Sequence, residues 1–376
     1  MTLGIIKEAE GEQRVALTPE SVPALLKLGI QEVWIEKGAG ERAFFSDQAY
    51  EQQGARVSSR AELLKQAKIV VCISAPPDNE LATLSAGQVI IGQFNPLGNA
   101  AFVDNAVKSK VTAFSLDLVP RSTRAQAMDV LSSMATVAGY KAVLTAANHL
   151  PTFFPMFMTA AGTIKPAKVL ILGAGVAGLQ AIATAKRLGA SVEAFDVRAA
   201  AKEEVMSLGA KFVEVEGARD EKAAGGYAVE QTDEYKAKQA EVIHKHAMAA
   251  DVVICTAQIP GRKAPVLLRK ETVEQMKSGA VIVDLAASTG GNCEVTQNNQ
   301  TIQHQGVTVI GNSALPATAP KDASTMFGKN IVNFAKILII KGELLVNFED
   351  DILLGACVAH AGEVISPRLK PAPANA

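Results

Sequence analysis

Cysteine is scarce in this chain: Cys72, Cys255, Cys293 and Cys357 stand far apart in 376 residues, and none forms a C-x-x-C pair. That spacing argues against a disulfide framework and against a zinc site, so no metal is expected. It suits a reducing compartment and leaves the four thiols as small core hydrophobes. The formal net charge is only −1, with no basic block and no run of like charge, which excludes a nucleic-acid groove and a charged interaction tail. Clean apolar runs of about 18 residues are also missing, so no membrane span is expected. The nearest candidates are residues 168–185, broken by three glycines, and residues 331–340, which carry Asn333 and Lys336. Residues 1–8 lack the long apolar core of a signal peptide and read as a first strand.

What is present is a globular composition, 48% apolar and 20% charged, at a length comfortable for two domains. Short β-rich runs recur at residues 4–6, 32–35, 69–74, 89–94 and 111–116, with helical periodicity between them. Thr18-Pro19-Glu20 reads as a helix start, a capping hydroxyl followed by proline at the first helical position, and Gly29 closes that helix. A second series of strands follows at 169–172, 191–195, 211–215, 252–255, 281–285 and 307–310. Strands alternating with helices predict the α/β class, parallel sheets covered on both faces. Residues 132–150 and 326–341 read as two long helices that carry the chain between domains. Residues 344–348 and 352–358, flanking the acidic Glu349-Asp350-Asp351, suggest a closing hairpin or strand pair. The expected division is a discontinuous first domain, 1–132 plus 327–376, around a second domain at 133–326. The Pro/Ala-rich end, 366–376, is expected to be mobile.

The clearest chemistry is Lys168-Val-Leu-Ile-Leu-Gly-Ala-Gly-Val-Ala-Gly-Leu-Gln. Gly173 permits a tight turn, Gly175 removes a Cβ that would strike a pyrophosphate, and Gly178 lets helix and strand approach. Val176 and Ala177 then open a helix whose free N–H groups favour phosphate. Asp196, 23 residues after Gly173 at the end of the next β-run, is placed to accept bonds from an adenosine ribose and to repel a 2′-phosphate. NAD(H) is therefore expected over NADP(H), although Arg198, just beyond Val197, is a residue type that accepts a 2′-phosphate. Asp284, Gln258 and Thr289-Gly290-Gly291-Asn292 also follow β-runs of this domain, where ligands gather in open parallel sheets. Gln258 reads equally as a cofactor contact or as an ordinary loop amide.

At Pro120-Arg121-Ser-Thr-Arg-Ala-Gln126-Ala-Met-Asp129-Val-Leu-Ser132 the sequence stops being generic. Together with Glu12-Gln-Arg14-Val-Ala-Leu-Thr-Pro, Gly225-Gly226-Tyr227-Ala228 and Val283-Asp-Leu-Ala, it resembles the family of alanine dehydrogenases and nicotinamide nucleotide transhydrogenase α subunits. Its details are similar to the NAD(H)-binding components of proton-translocating transhydrogenases, over residues 4 to about 367. The resemblance implies two Rossmann-like domains separated by a cleft and linked by long helices. It implies NAD(H) in that cleft and an NADP(H)-binding domain of a β subunit docked over it. It further implies a membrane-spanning partner subunit, a homodimer, and a place on the cytoplasmic face of the inner membrane held through those partners. Arg121 and Asp129 would orient the nicotinamide carboxamide and ribose, with Ser132 and Tyr140 beyond, and Gln126 would reach toward the partner nucleotide. Residues 216–233 would form a mobile loop with Tyr227 at its tip, and Gly226 and Tyr227 would contact the cofactor. Read from the residues alone, a glycine pair flanked by charges also suggests a lid.

The same family contains amino-acid dehydrogenases, whose chemistry requires proton transfer as an amine becomes an imine. The resemblance places the family's alanine-binding lysine, its histidine and its catalytic aspartate at Ser74, Asn95 and Ser288, none of which titrates near neutral pH. Of that substrate-binding set only Arg14 remains. The histidines, 149, 244, 246, 304 and 360, are scattered and read as surface or core residues. Transhydrogenation is thus the expected activity. A stand-alone amino-acid dehydrogenase and a non-catalytic NADH-sensing module are the alternatives. A separate subunit and a domain of a longer α subunit both fit the sequence.

Overall fold

Lys-Val-Leu-Ile-Leu has none of the polar–apolar alternation of a half-exposed strand. In the computed structural model, which describes residues 1–217, 231–259 and 261–370, it is the strand Lys168–Leu172. Val169, Leu170, Ile171 and Leu172 are each 2% exposed or less. Such burial stabilises by about 1.5–3 kcal/mol per side chain and selects a sheet with both faces covered. The chain divides into two compact units, Met1–Met134 with Ala317–Ala376, and Ala135–Pro316. These limits replace the 132/133 and 326/327 boundaries expected from the sequence. The later junction moves because the return helix starts at Pro320 and runs to Leu338, with proline in its first turn and a 3-10 turn, Leu315–Thr318, before it.

The first unit holds an eight-stranded sheet. In spatial order its strands are Glu363–Val364, Cys357–His360, Thr112–Ser115, Val89–Gly92, Ile69–Val71, Thr2–Ile5, Glu32–Glu36 and Ala55–Ser58. The last six are mutually parallel, and Leu3 is registered between Ile69 and Val33. Cys357–His360 and Glu363–Val364 join antiparallel at the other edge. On one face Trp34, Leu63, Val70, Ile90 and Phe102 form a continuous core.

The second unit holds seven strands in the order Lys211–Phe212, Ser191–Phe195, Lys168–Leu172, Val252–Cys255, Val281–Asp284, Val307–Ile310 and Thr301–His304. All pairs are parallel except the last, an antiparallel edge. Both sheets start in the middle, build outward on one side and then return to the other. Each therefore has a topological switch point beside its first strand, where open α/β sheets bind ligands.

Two local expectations are corrected. Residues 352–358 do not make a hairpin with 344–348. Asp350 accepts the N–H groups of Ile352 and Leu353, and this cap starts the helix Asp351–Ala356, after which Cys357–His360 joins the main sheet. Thr18 does not cap either: its hydroxyl lies 3.4 Å from that of Ser21, and Pro19–Ser21 is a 3-10 turn leading into Val22–Lys27. The first long helix is Val130–His149, and by length and composition alone it could cross a membrane. Its Ala142, Val143 and Ala146 lie in the core of the second unit. Gly226, Tyr227 and the rest of 218–230, like 371–376, lie outside the described residues.

Candidate nucleotide-binding site

The glycine-rich turn leaves the strand Lys168–Leu172 at the second unit's switch point, beside Thr256 at the end of the neighbouring strand Val252–Cys255. Gly173 has φ +100°, and a Cβ there would meet the Thr256 hydroxyl at 2.7 Å. That hydroxyl donates to the Gly173 carbonyl at 2.8 Å and fixes the turn from below. A Cβ on Gly178 would lie 1.9 Å from the same carbonyl, so only glycine lets the helix Val176–Arg187 start so close to the strand. Around Gly175 the space is open: a Cβ there would meet nothing within 4 Å. Gly175 is also the helix N-cap and provides no side-chain cap, so the first-turn N–H groups of Val176 and Ala177 are not covered by a capping side chain. A diphosphate fits this cradle, with the helix dipole favouring its charge.

A fourth glycine, Gly139 within the first long helix, lies against this turn. A Cβ on Gly139 would lie 2.1 Å from the carbonyl of Ala177, so Val130–His149 packs directly against the first turn of Val176–Arg187. Tyr140 beside it is 45% exposed.

Asp196 is already occupied. Its Oδ2 accepts from the Ala174 N–H at 2.7 Å and an Arg198 guanidinium nitrogen at 2.8 Å, while Oδ1 accepts from the Arg198 backbone N–H and Nε. A carboxylate has about four acceptor sites. Its acceptor sites are therefore taken by the chain's own donors, and Asp196 braces the glycine turn. Val197 lies between Asp196 and Arg198.

The other strand ends are held by buried polar groups. The Asn292 side chain accepts from the Ala257 N–H and donates to the carbonyls of Ala257 and Pro265, fixing the segment after Thr256. Asp284 accepts from Ala286 N–H, Cys293 N–H and the Thr296 hydroxyl, and burial pushes its carboxyl above the usual range. It organises its own turn. Gln258 is exposed and donates to the Thr289 hydroxyl at 3.3 Å, tying two such loops together. Ser288 is exposed. Each histidine engages a local partner: Thr145, Thr272, Glu193, Glu274 and Thr112 in chain order.

In the first unit, Thr123–Met128 is a 3-10 segment with Ala125 and Met128 buried and Gln126 exposed. Arg121 is exposed as well. Asp129 and Ser132 come together: Asp129 caps Val130–His149, accepting from the Ser132 N–H at 2.9 Å and its hydroxyl at 2.6 Å. Arg14 is paired with both oxygens of Glu12. Ser74 and Asn95 are exposed, Asn95 in the left-handed region at φ +49°.

Sequence reasoning missed Glu8. It follows the first strand at this unit's own switch point, and its carboxylate accepts from the N–H groups of Ile73 (2.5 Å) and Ser74 (3.1 Å). The corresponding crevice of this unit is closed by the chain's own buried carboxyl group. Burial pushes the Glu8 carboxyl up to about 7 from 4.5, against the opposing effect of those two hydrogen bonds. The folded state then holds the extra proton between those values, so the stabilising contribution is lost as pH rises through about 7. Glu8→Gln should gain thermal stability relative to the parent as pH goes from about 5 to about 8.5, by on the order of 2 kcal/mol. Melting curves at both pH values check this, and a pH-independent difference would show that Glu8 ionises normally.

Comparison with known proteins decides the family. The N-terminal domain model of alanine dehydrogenase/PNT matches residues 4–138, and the C-terminal domain model matches 142–367. The chain belongs to the alanine dehydrogenase/PNT family. It is 44% identical to the first portion of NAD(P) transhydrogenase subunit alpha of Rhodospirillum rubrum over 380 residues, 98% of this chain and 99% of that protein. It is 27% identical to alanine dehydrogenase of Mycolicibacterium smegmatis, covering 97% and 95%. The solved transhydrogenase of Sinorhizobium meliloti superposes with a TM-score of 0.86 at 39% identity, over 98% of this chain and 99% of that one. Within the alanine dehydrogenase/PNT family the chain is thus nearer to these transhydrogenases than to that amino-acid dehydrogenase.

Proposed function

We propose that this chain is the NAD(H)-binding component of a proton-translocating transhydrogenase, holding NADH while hydride passes to NADP⁺ on a partner domain. The observation that carries this reading is the trio Ser74, Asn95 and Ser288, side chains that exchange no proton near neutral pH. They stand where the family resemblance places a dehydrogenase's lysine, histidine and aspartate. Amine oxidation needs a proton acceptor, whereas hydride transfer between two nicotinamides moves no proton at the reacting carbons. Glu8 does not fill the gap, because both its oxygens serve backbone N–H groups inside the fold.

Bound NADH supplies the hydride. The chain's residues bind and orient: the N–H groups after Gly175 hold the diphosphate, Asp196 holds the adenosine ribose, and Arg121, Gln126 and Asp129 act toward the nicotinamide end. Gly226 and Tyr227, outside the described residues, belong to the same proposed nucleotide-binding set. Asp196→Ala should weaken NADH binding about tenfold and narrow the preference for NADH over NADPH. Fluorescence titration with both nucleotides checks this, and an unchanged ratio would show that Asp196 does not read the ribose.

The remaining partners are a β subunit carrying NADP(H), a membrane-spanning subunit that places the chain on the cytoplasmic side of the membrane, and a second copy of this chain. The second copy has support in the two-stranded ribbon Phe157–Thr159 and Gly162–Ile164. There Phe153, Met156, Phe157, Met158 and Ile164 are 41–77% exposed. A two-stranded ribbon is marginal alone, and a self-complementary apolar patch is buried economically by a twofold axis. Met158→Asp should shift the chain toward monomer in sedimentation, and an unaltered mass would assign the ribbon elsewhere.

The central experiment mixes the chain with an NADP(H)-binding partner component and follows hydride from NADH. Transfer in the mixture, with no NAD⁺ reduction by alanine in the chain alone, is the expected result. Robust NAD⁺ reduction with alanine would favour the amino-acid dehydrogenase.

A further inference from the structure

The segment bearing Gln126 is held by residues far away in sequence. The Ala127 carbonyl accepts two side-chain amides from the return helix Pro320–Leu338, Asn330 Nδ2 at 2.9 Å and Asn333 Nδ2 at 3.2 Å. Three residues earlier, Arg124 makes a two-pronged contact with Asp350, at 2.6 and 2.9 Å, and also reaches Asp351. Asp350 is itself fixed as the cap of Asp351–Ala356. Ala125, between these attachments, and Met128, just beyond them, are buried, whereas Gln126 is exposed.

Asn330 is an expensive way to hold a surface segment. It is 6% exposed, on a helix face shared with Phe327, Ile331 and Phe334, and its Oδ1 is buried with no partner. Among the described residues the only other such atom is the hydroxyl of Ser122, which opens the same segment. A buried acceptor without a donor works against folding, and leucine would fill the same volume without that burden. What asparagine adds is a fixed position for the Ala127 carbonyl, one residue from Gln126.

We infer that Asn330, helped by Asn333, and the Arg124–Asp350 pair are positioning residues for hydride transfer, setting where Gln126 stands relative to the reacting rings. The inference rests on the transhydrogenase reading and adds residues that act through the segment bearing Gln126. It separates stability from rate, because Asn330→Leu removes an unpaired buried acceptor together with the positioning donor.

The test is single-turnover hydride transfer from NADH to NADP⁺ at saturating partner component, with melting temperature and NADH affinity measured on the same preparations. Asn330→Leu should slow transfer at least tenfold while the melting temperature holds or rises and the NADH dissociation constant stays within threefold. Arg124→Met alters a half-exposed side chain that does not threaten the fold, and it should slow transfer at saturating partner; Arg124→Lys should restore most of the rate. Transfer within twofold of the parent in both Asn330→Leu and Arg124→Met would overturn the inference while leaving the proposed function intact. A rate loss that tracks a falling melting temperature, or one that disappears at saturating partner, would also overturn it. An unaltered chain that transfers no hydride at all would remove both.

Discussion

Gly178→Ala should abolish measurable NADH binding and lower the melting temperature of the second unit by about 10 °C, whereas Gly175→Ala should lose binding with almost no change in stability. The two glycines lie in one turn, and their surroundings differ. At Gly178 the new methyl would lie 1.9 Å from the Gly173 carbonyl, a backbone atom that cannot swing away, so the helix must move off the strand. Overpacking of this severity costs about 3–5 kcal/mol, and about 2–4 °C per kcal/mol is typical for a unit of this size. At Gly175 the methyl projects into open space, and the folded chain has nothing to object to. Only a ligand can. If both variants bind NADH normally, the diphosphate is not held at this turn. If Gly175→Ala also melts early, the open space is an internal requirement of the fold and the cradle reading fails.

Gln126→Ala should slow hydride transfer by about 10- to 100-fold and leave NADH affinity within a few-fold. The side chain is exposed, and its neighbours Ala125 and Met128 supply the packing that holds the segment. Truncation therefore costs little stability, within about 0.5 kcal/mol. Rate is another matter, because a displacement of about 1 Å between reacting atoms is enough to cost about 100-fold. Stopped-flow measurement of one turnover separates the transfer step from nucleotide release. A normal rate would place the segment away from the reacting rings.

The parts of the fold visible in the sequence were those governed by short-range pattern. Val252–Cys255 and Val307–Ile310 were legible because a buried parallel strand is an uninterrupted apolar run, and the glycine turn because three positions impose steric limits at fixed spacing. Ala55–Ser58 and Thr301–His304 went unread, since edge strands carry Arg56, Ser58, Gln303 and His304 and look like loop. Asp350 was visible as one member of an acidic turn, but its role as a helix cap depends on side-chain direction. The role of Gly139 depends on Ala177, 38 residues later in the chain, being placed against it. The Asp196–Arg198 contact was within reach, the residues being two apart. Glu8 with Ser74, and Asn330 with Ala127, join positions that only the completed sheet and return helix bring together.

The strand Cys357–His360, laid against Thr112–Ser115, has a consequence for biosynthesis. Of the two units, the one whose synthesis starts earlier is also the one completed later, because residues after Pro316 complete its sheet and cover its growing edge. The contiguous unit, Ala135–Pro316, emerges whole and can fold while its predecessor waits. Until then the edge at Thr112–Ser115 is an unpaired template during translation, a stage at which a chaperone has something specific to shield.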